Sequence, residues 1–308
     1  MAQSSEPMPP LRTRNRRALD LAAAGLALAV ASAFAPTHPL AQSRHSARRS
    51  HSRRSHTGLG AHQTFSPLPS VVTHPTRAGT QYRLHHWSIP LGAVDLDLTY
   101  VPRPTSVDRA LRNTHALLVV NAGFFHRDGA PAGLTVARGR EITPFDPRLV
   151  GGVLTVSGSQ AELHATEGFV SAPGLDFALQ SKPRLVVDRE INTSDDRHRA
   201  DRTALCLRDE GRRLDVYVAR SDIRDGRGGP TLRAFARTLA ALGCHHALNL
   251  DGGPSTSAAW RDGARVRVLP PREPIRQVIV VRARAAAPSA PGNSADDSLR
   301  PGGGPALP

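Results

Sequence analysis

The stretch Ala247-Leu248-Asn249-Leu250-Asp251-Gly252-Gly253-Pro254-Ser255-Thr256-Ser257 gathers the residue types in this chain best suited to chemistry. Its apolar first half reads as a short buried strand. A carboxylate, two glycines and three hydroxyl residues then follow in quick succession. Gly252 and Gly253 can take positive φ and let a ligand approach the main chain. Consecutive N–H groups in such a turn make a concavity suited to an anion. Ser255 and Thr256 add hydroxyl donors, and Asp251 adds a negative charge at the lip. A second reading stands beside this one: Asp-Gly-Gly-Pro is also a sound tight turn between two strands.

A second strand end carries Asn121-Ala122-Gly123-Phe124-Phe125. Asn121 can donate and accept there, and at least one of Phe124 and Phe125 reads as a core anchor. Asp128 sits in an Asp-Gly pair that suits a turn. Lys182 and Arg184 flank Pro183, and Arg202-Thr203 opens a later strand. His245 and His246 precede the organising strand and read as surface residues. No histidine is assigned to catalysis, and no metal site or cofactor is expected. Cys206 and Cys244 lack any zinc-ligand spacing; a single disulfide and two buried thiols are equally compatible with the sequence.

The elements needed to position these residues follow from pattern. Thr80–Ile89 and Ala93–Val101 read as strands. Val94, Leu96 and Leu98 alternate with Asp95 and Asp97, so one face is buried. Ser106 starts a short helix through Arg112, and His115–Val120 is an apolar strand. Hairpins are expected at 134–143, 152–165 and 202–218, and a further one joins Ser255–Trp260 to Arg265–Leu269. Thr231 caps a helix to about Leu242, with Leu232, Phe235, Leu239 and Leu242 on its packing face, and Gly243 stops it. Gln277–Arg282 is the last strand. Many strands with one main long helix indicate a single α+β domain with a mixed sheet.

The chain has 308 residues and a formal net charge of +14. Its basic residues are almost all arginine, Lys182 being the only lysine. Few aromatics accompany the charge and no nucleic-acid-binding motif is present, so nucleic acid is not an expected partner. Residues 1–41 read as an export signal: Arg12, Arg14, Arg16 and Arg17 precede an alanine- and leucine-rich run, and Ala31-Ser32-Ala33 suits cleavage. An uncleaved N-terminal anchor is the alternative. Export implies a periplasmic or extracellular protein. Residues 42–78 are expected to be a disordered Ser/Arg/His linker able to contact anionic envelope components weakly. The folded domain is expected at 79–284, with a disordered tail at 285–308.

Together, Asn121 through Phe125, Gly133-Leu134, Pro183-Arg184-Leu185, Arg202-Thr203-Ala204, Thr231-Leu232 and Ala247 through Ser255 resemble the phosphodiester glycosidase family. Two departures are Pro254, where the family usually has a third glycine, and Cys206, where a small residue is usual. Pro254 stiffens the turn and removes one N–H. The resemblance implies cleavage of the anomeric C–O bond of a sugar-1-phosphodiester, in cell-envelope or exopolysaccharide metabolism. The transition state is oxocarbenium-like, so a carboxylate beside the anomeric carbon stabilises it or activates water. The leaving phosphate monoester is a weak base and has little need of a strong general acid. This assigns Asp251 and Asn121 to catalysis. It assigns Arg184, Arg202, Gly252, Gly253, Ser255 and Thr256 to binding a sugar-phosphate or polysaccharide substrate. The rival expectation is a non-catalytic envelope polysaccharide-binding or assembly protein on the same fold.

Overall fold

The computed structural model describes residues 64–284. The predicted export signal, the first part of the predicted linker and the predicted tail lie outside the described residues. The chain runs β1 (Ser70–Pro75), β2 (Gln81–Pro90), β3 (Val94–Thr105), α1 (Val107–Thr114), β4 (Leu118–Asn121), β5 (Thr135–Ala137), β6 (Arg140–Thr143), β7 (Gly152–Ser157), β8 (Gln160–Ala165), β9 (Phe177–Ser181), β10 (Arg184–Val187), β11 (Glu190–Ile191), β12 (Arg202–Arg208), β13 (Arg213–Ser221), α2 (Leu232–Ala241), β14 (His246–Asn249), β15 (Ala258–Asp262), β16 (Arg265–Leu269) and β17 (Ile275–Ala283). The expected α+β class is borne out.

Three sheets form. The first has the order β1-β2-β13-β12-β14-β10-β11, the second β16-β15-β4-β17-β3 and the third β6-β5-β9-β7-β8. Alternation along each strand decides which layer a side chain enters. Leu214, Val216 and Val218 of β13 point into the largest apolar cluster, where they meet Leu118, Val120, Ile279 and Val281 of the second sheet. Tyr217 and Ala219 point the other way, to Phe235, Ala236 and Leu239 of α2. Val278 and Val280 likewise turn from the common core to Val107, Ala110 and Leu111 of α1. The layers are therefore α2, first sheet, second sheet, α1. Burial on both faces explains why β13 and β17 read as near-continuous apolar runs. Phe235 is fully buried, which contributes about 2–3 kcal/mol.

The start of the folded region differs from expectation. β1 lies in the segment read as linker and pairs with β2 along its whole length, from Ser70↔His86 to Pro75↔Gln81. This pairing is made by the backbone, and most β1 side chains are exposed, so no apolar pattern announced it. The α2 helix is capped by the Thr231 hydroxyl, which accepts the Ala234 N–H at 3.1 Å. Leu242, expected on the packing face, is the C-cap residue and is 42% exposed.

Cys206 and Cys244 form a disulfide with a Cα–Cα distance of 5.6 Å across 38 residues. A loop of that size stabilises the fold by about 4 kcal/mol on chain-entropy grounds. It ties β12 to the start of β14, whose far end carries Asp251. Among the described residues no helix is long and apolar enough to cross a membrane.

Candidate active site

β14 lies between β12 and β10 in the first sheet, and β4 lies between β15 and β17 in the second. Their C-terminal ends meet. Asp251 N–H donates to Ala122 O at 3.1 Å, and Asn121 Nδ2 donates to Asp251 O at 2.6 Å. Asn121 Oδ1 accepts the Thr203 hydroxyl at 2.7 Å and the Ser257 N–H at 3.1 Å. Asn121 is 1% exposed. It was expected among the catalytic groups; in the structure it is a buried amide whose bonds hold the Asp251 main chain in place.

The Asp251–Thr256 turn closes on itself. Gly252 N–H donates to Asp251 Oδ1 at 2.9 Å, and Gly253 N–H donates to Asp201 O at 2.7 Å. Pro254 has no N–H. Ser255 N–H donates to Gly252 O and Thr256 N–H to Gly253 O, each at 3.2 Å. The backbone anion cradle expected from Gly252 and Gly253 is therefore not present, because every donor is already engaged. Packing also requires the glycines. A Cβ on Gly252 would lie 2.9 Å from Asp201 O, and Gly253 has φ +58. Thr256 is fully buried, and its Oγ1 lacks a hydrogen-bond partner. The strand expected to begin at Ser255 begins at Ala258, since Gly253–Ser255 forms a short 3₁₀ turn.

Asp251 is the polar group of this turn with unused capacity. Burial pushes its carboxyl up to about 6, against the Ser255 hydroxyl and the Gly252 N–H, which favour the charged form; the negative charge of Glu273 adds to the rise. A carboxylate with a pKa near working pH suits proton transfer or charge stabilisation. Ser255 is itself buried and serves Asp251.

Arg202 lies beside the turn: its Cδ is 3.8 Å from the Cβ position on Gly252. Its Nε donates to Pro230 O at 3.3 Å and its Nη2 to His198 O at 2.6 Å. Burial lowers its pKa, and the charges of Asp195 and Asp201 oppose that shift. Arg184 is less directly connected. Its stem occupies the space left by Gly152, where a Cβ would sit 2.8 Å from Arg184 Cγ. The adjoining Pro183 O accepts Asn249 N–H at 3.0 Å, and the Lys182–Pro183 bond is cis.

Several residues at the site were not singled out from sequence. The Asp201 carboxylate is 0% exposed. It accepts the Ser221 N–H at 2.9 Å and the Ser221 hydroxyl at 2.7 Å. Arg272 Nη1 donates to it, and Arg220 Nε stands 3.4 Å away. Arg220 also donates to Thr256 O and to Pro270 O at 2.7 Å, while Arg272 N–H donates to Pro254 O at 2.7 Å. This buried carboxylate with two guanidiniums braces the turn from behind. Glu273 is exposed beside the turn, its N–H 3.3 Å from Pro254 O. Phe124 and Phe125, at least one of them expected in the core, are only partly buried and border the strand end that meets Asp251. Asp128 accepts the Ala130 N–H at 3.0 Å and serves its own turn. The Arg276 guanidinium packs over Gly129 in that turn, Cζ lying 2.9 Å from the Cβ position.

The sequence profile of the phosphodiester glycosidase (NAGPA) family matches residues 114–282. No curated protein matches the sequence. Solved structures similar in fold include the following two. One is a hypothetical protein from Synechocystis, 15% identical, with a TM-score of 0.53 over 70% of this chain and 62% of that one. The other is the zebrafish N-acetylglucosamine-1-phosphodiester alpha-N-acetylglucosaminidase catalytic domain auto-inhibited by its pro-peptide. It is 16% identical, with a TM-score of 0.57 over 73% of this chain and 86% of that one. The chain thus spans less than two thirds of the Synechocystis protein, and at these identities the likeness concerns the fold. The profile match covers more than half of the sequence, including both strand ends that build the Asp251 site, and the chain belongs to the phosphodiester glycosidase family.

Proposed function

We propose that this protein hydrolyses the anomeric C–O bond of a sugar-1-phosphodiester in cell-envelope or exopolysaccharide metabolism. The observation that carries the reading is Asp251: a carboxyl raised to about 6, fixed at the junction of two sheets by Asn121. Above that pH it is ionised and can stabilise the positive charge that develops at the anomeric carbon, or take a proton from attacking water. Water oxygen bonds to the anomeric carbon, the C–O bond breaks, and the phosphate monoester departs with the bonding pair. Glu273 is a further carboxylate, close enough for its charge to act on Asp251. The phosphate is held by arginine, with Arg202 the first candidate, because the turn has no backbone donor to offer. Phe124 and Phe125 provide apolar faces for a sugar ring. The Cys206–Cys244 disulfide supports an exported location.

Release of free sugar from a panel of sugar-1-phosphodiesters tests the reading, with the full chain beside Asp251→Asn. Turnover by the parent alone, with ¹⁸O from labelled water in the sugar, is the expected result. Label in the phosphate would mean P–O cleavage. Binding of these diesters without turnover by the parent would favour the non-catalytic envelope-binding role.

A further inference from the structure

We infer that Asp188, His245 and His246 form a binding site for a divalent transition-metal ion of the zinc type, separate from the Asp251 site. Each residue offers one ligand atom, and these atoms all lie within 4.8 Å of one another. Two imidazole nitrogens and one carboxylate oxygen make a donor set that suits zinc and its neighbours and disfavours calcium or magnesium.

The cluster is held by backbone on every side. His245 N–H donates to Leu207 O at 3.1 Å, and His245 O accepts the Arg189 N–H at 2.8 Å. Cys244, the preceding residue, is in the disulfide. Asp188 and Arg189 form the tip of the β10–β11 hairpin and both have positive φ, 50 and 68. Two successive non-glycine residues in that region are costly unless their surroundings fix them. Here the tip is fixed against the histidine pair, with Asp188 N–H 3.3 Å from His246 Nδ1.

The side chains are poised to share an ion. His246 Nε2 stands 3.7 Å from Asp188 Oδ1, a separation that one ion bonded to both can bridge. The two imidazoles meet edge-on, their planes at 90° and centroids 4.3 Å apart, so they do not stack.

His245 and His246 also line a polar cleft of about 1150 Å³ with Arg189, Arg208 and His164. An ion bound by three protein atoms would keep its remaining positions open to that cleft. β14 advances about 3.3 Å per residue, so His246 lies roughly 15 Å from Asp251, and the inference is independent of the activity proposed there.

Titration of the full chain with Zn²⁺ tests it by calorimetry, beside His245→Ala/His246→Ala and beside Asp188→Asn. The N-terminal segment carries other histidines, so the difference between parent and variant is the readout. The parent should bind one more equivalent than the double variant, and Asp188→Asn should weaken that equivalent about tenfold or more. Ca²⁺ and Mg²⁺ should show no difference. A zinc-soaked crystal should give anomalous density between the three side chains. Equal stoichiometry in parent and double variant, or density only elsewhere, would overturn the inference. Should the double variant fail to fold, the exposed Asp188→Asn and the anomalous map decide the matter alone.

Discussion

Asn121 Nδ2 bonds to the main-chain oxygen of Asp251 at 2.6 Å across 130 residues of sequence, and so joins the end of one sheet to the end of the other. The same amide accepts from Thr203 and Ser257. Asn121→Ala leaves both donors buried without an acceptor and should cost about 2–3 kcal/mol. It should also lower kcat by roughly tenfold or more, because the carboxyl loses its fixed aim, with a smaller change in KM. Thermal unfolding and sugar-release kinetics check both outcomes.

Asp251 carries a stability cost that grows with pH. Its folded pKa of about 6 lies above the ordinary 3.8, so the folded chain binds this proton more tightly than the unfolded chain. The stabilisation is fully present below pH 3.8 and is lost as pH rises through about 6. Asp251→Asn should therefore be more stable than the parent by up to about 3 kcal/mol above pH 6 and no more stable below pH 3.8. Denaturant titrations across that range would show it. In the parent, kcat/KM should rise through an acid limb near pH 6.

His85 sets an opposite slope. It sits in the common core near Trp87 and Trp260, with ring centroids 6.2 and 6.1 Å away, and neither ring nitrogen has a partner. Burial, then the charges of Arg83 and Arg220, lowers its pKa from 6.5 to about 4. The unfolded chain takes up this proton first, so stability falls as pH drops from 6.5 to 4. The two slopes largely cancel between pH 4 and 6. Asp251→Asn should uncover a loss of about 3 kcal/mol over that window, and adding His85→Leu should flatten it.

The brace behind the turn predicts a third kind of variant. Arg272→Met leaves the buried Asp201 carboxylate with one guanidinium fewer and should destabilise the protein by about 3 kcal/mol. The turn loses support at Asp201, whose oxygen holds Gly253 N–H. A fall in kcat larger than the change in KM would distinguish this from a surface charge, whose removal should shift stability by under about 1 kcal/mol.

Much of this arrangement is legible in the sequence, for identifiable reasons. Phe235 and Leu239 recur at helical spacing and do pack on a sheet. The abrupt change from Leu250 to Asp251-Gly252 marks a strand end that does carry a perturbed carboxyl. Contacts made by backbone left no trace: β1 is joined through peptide groups, and the turn is closed by the Asp201 carbonyl, which accepts the N–H of Gly253 far along the chain. Asp201, Arg220 and Arg272 are distant in sequence, and only the fold gathers two partly buried guanidiniums around one buried carboxylate. At least one of Phe124 and Phe125 looks like a core residue until the strand end leaves both partly in water.

The closed turn also bears on how this protein could select among ligands. Gly252, Ser255 and Thr256 spend their N–H groups within the turn and Gly253 donates to Asp201 O, so the turn is tied down without a ligand. No ordering entropy is charged to binding at this wall. Adaptation is left to the other side, to the Phe124–Phe125 segment and to long arginine side chains such as Arg202. Inhibitors shaped to the rigid wall would be expected to act on many relatives alike, whereas selectivity for this protein would have to be sought among the aromatic and arginine groups facing it.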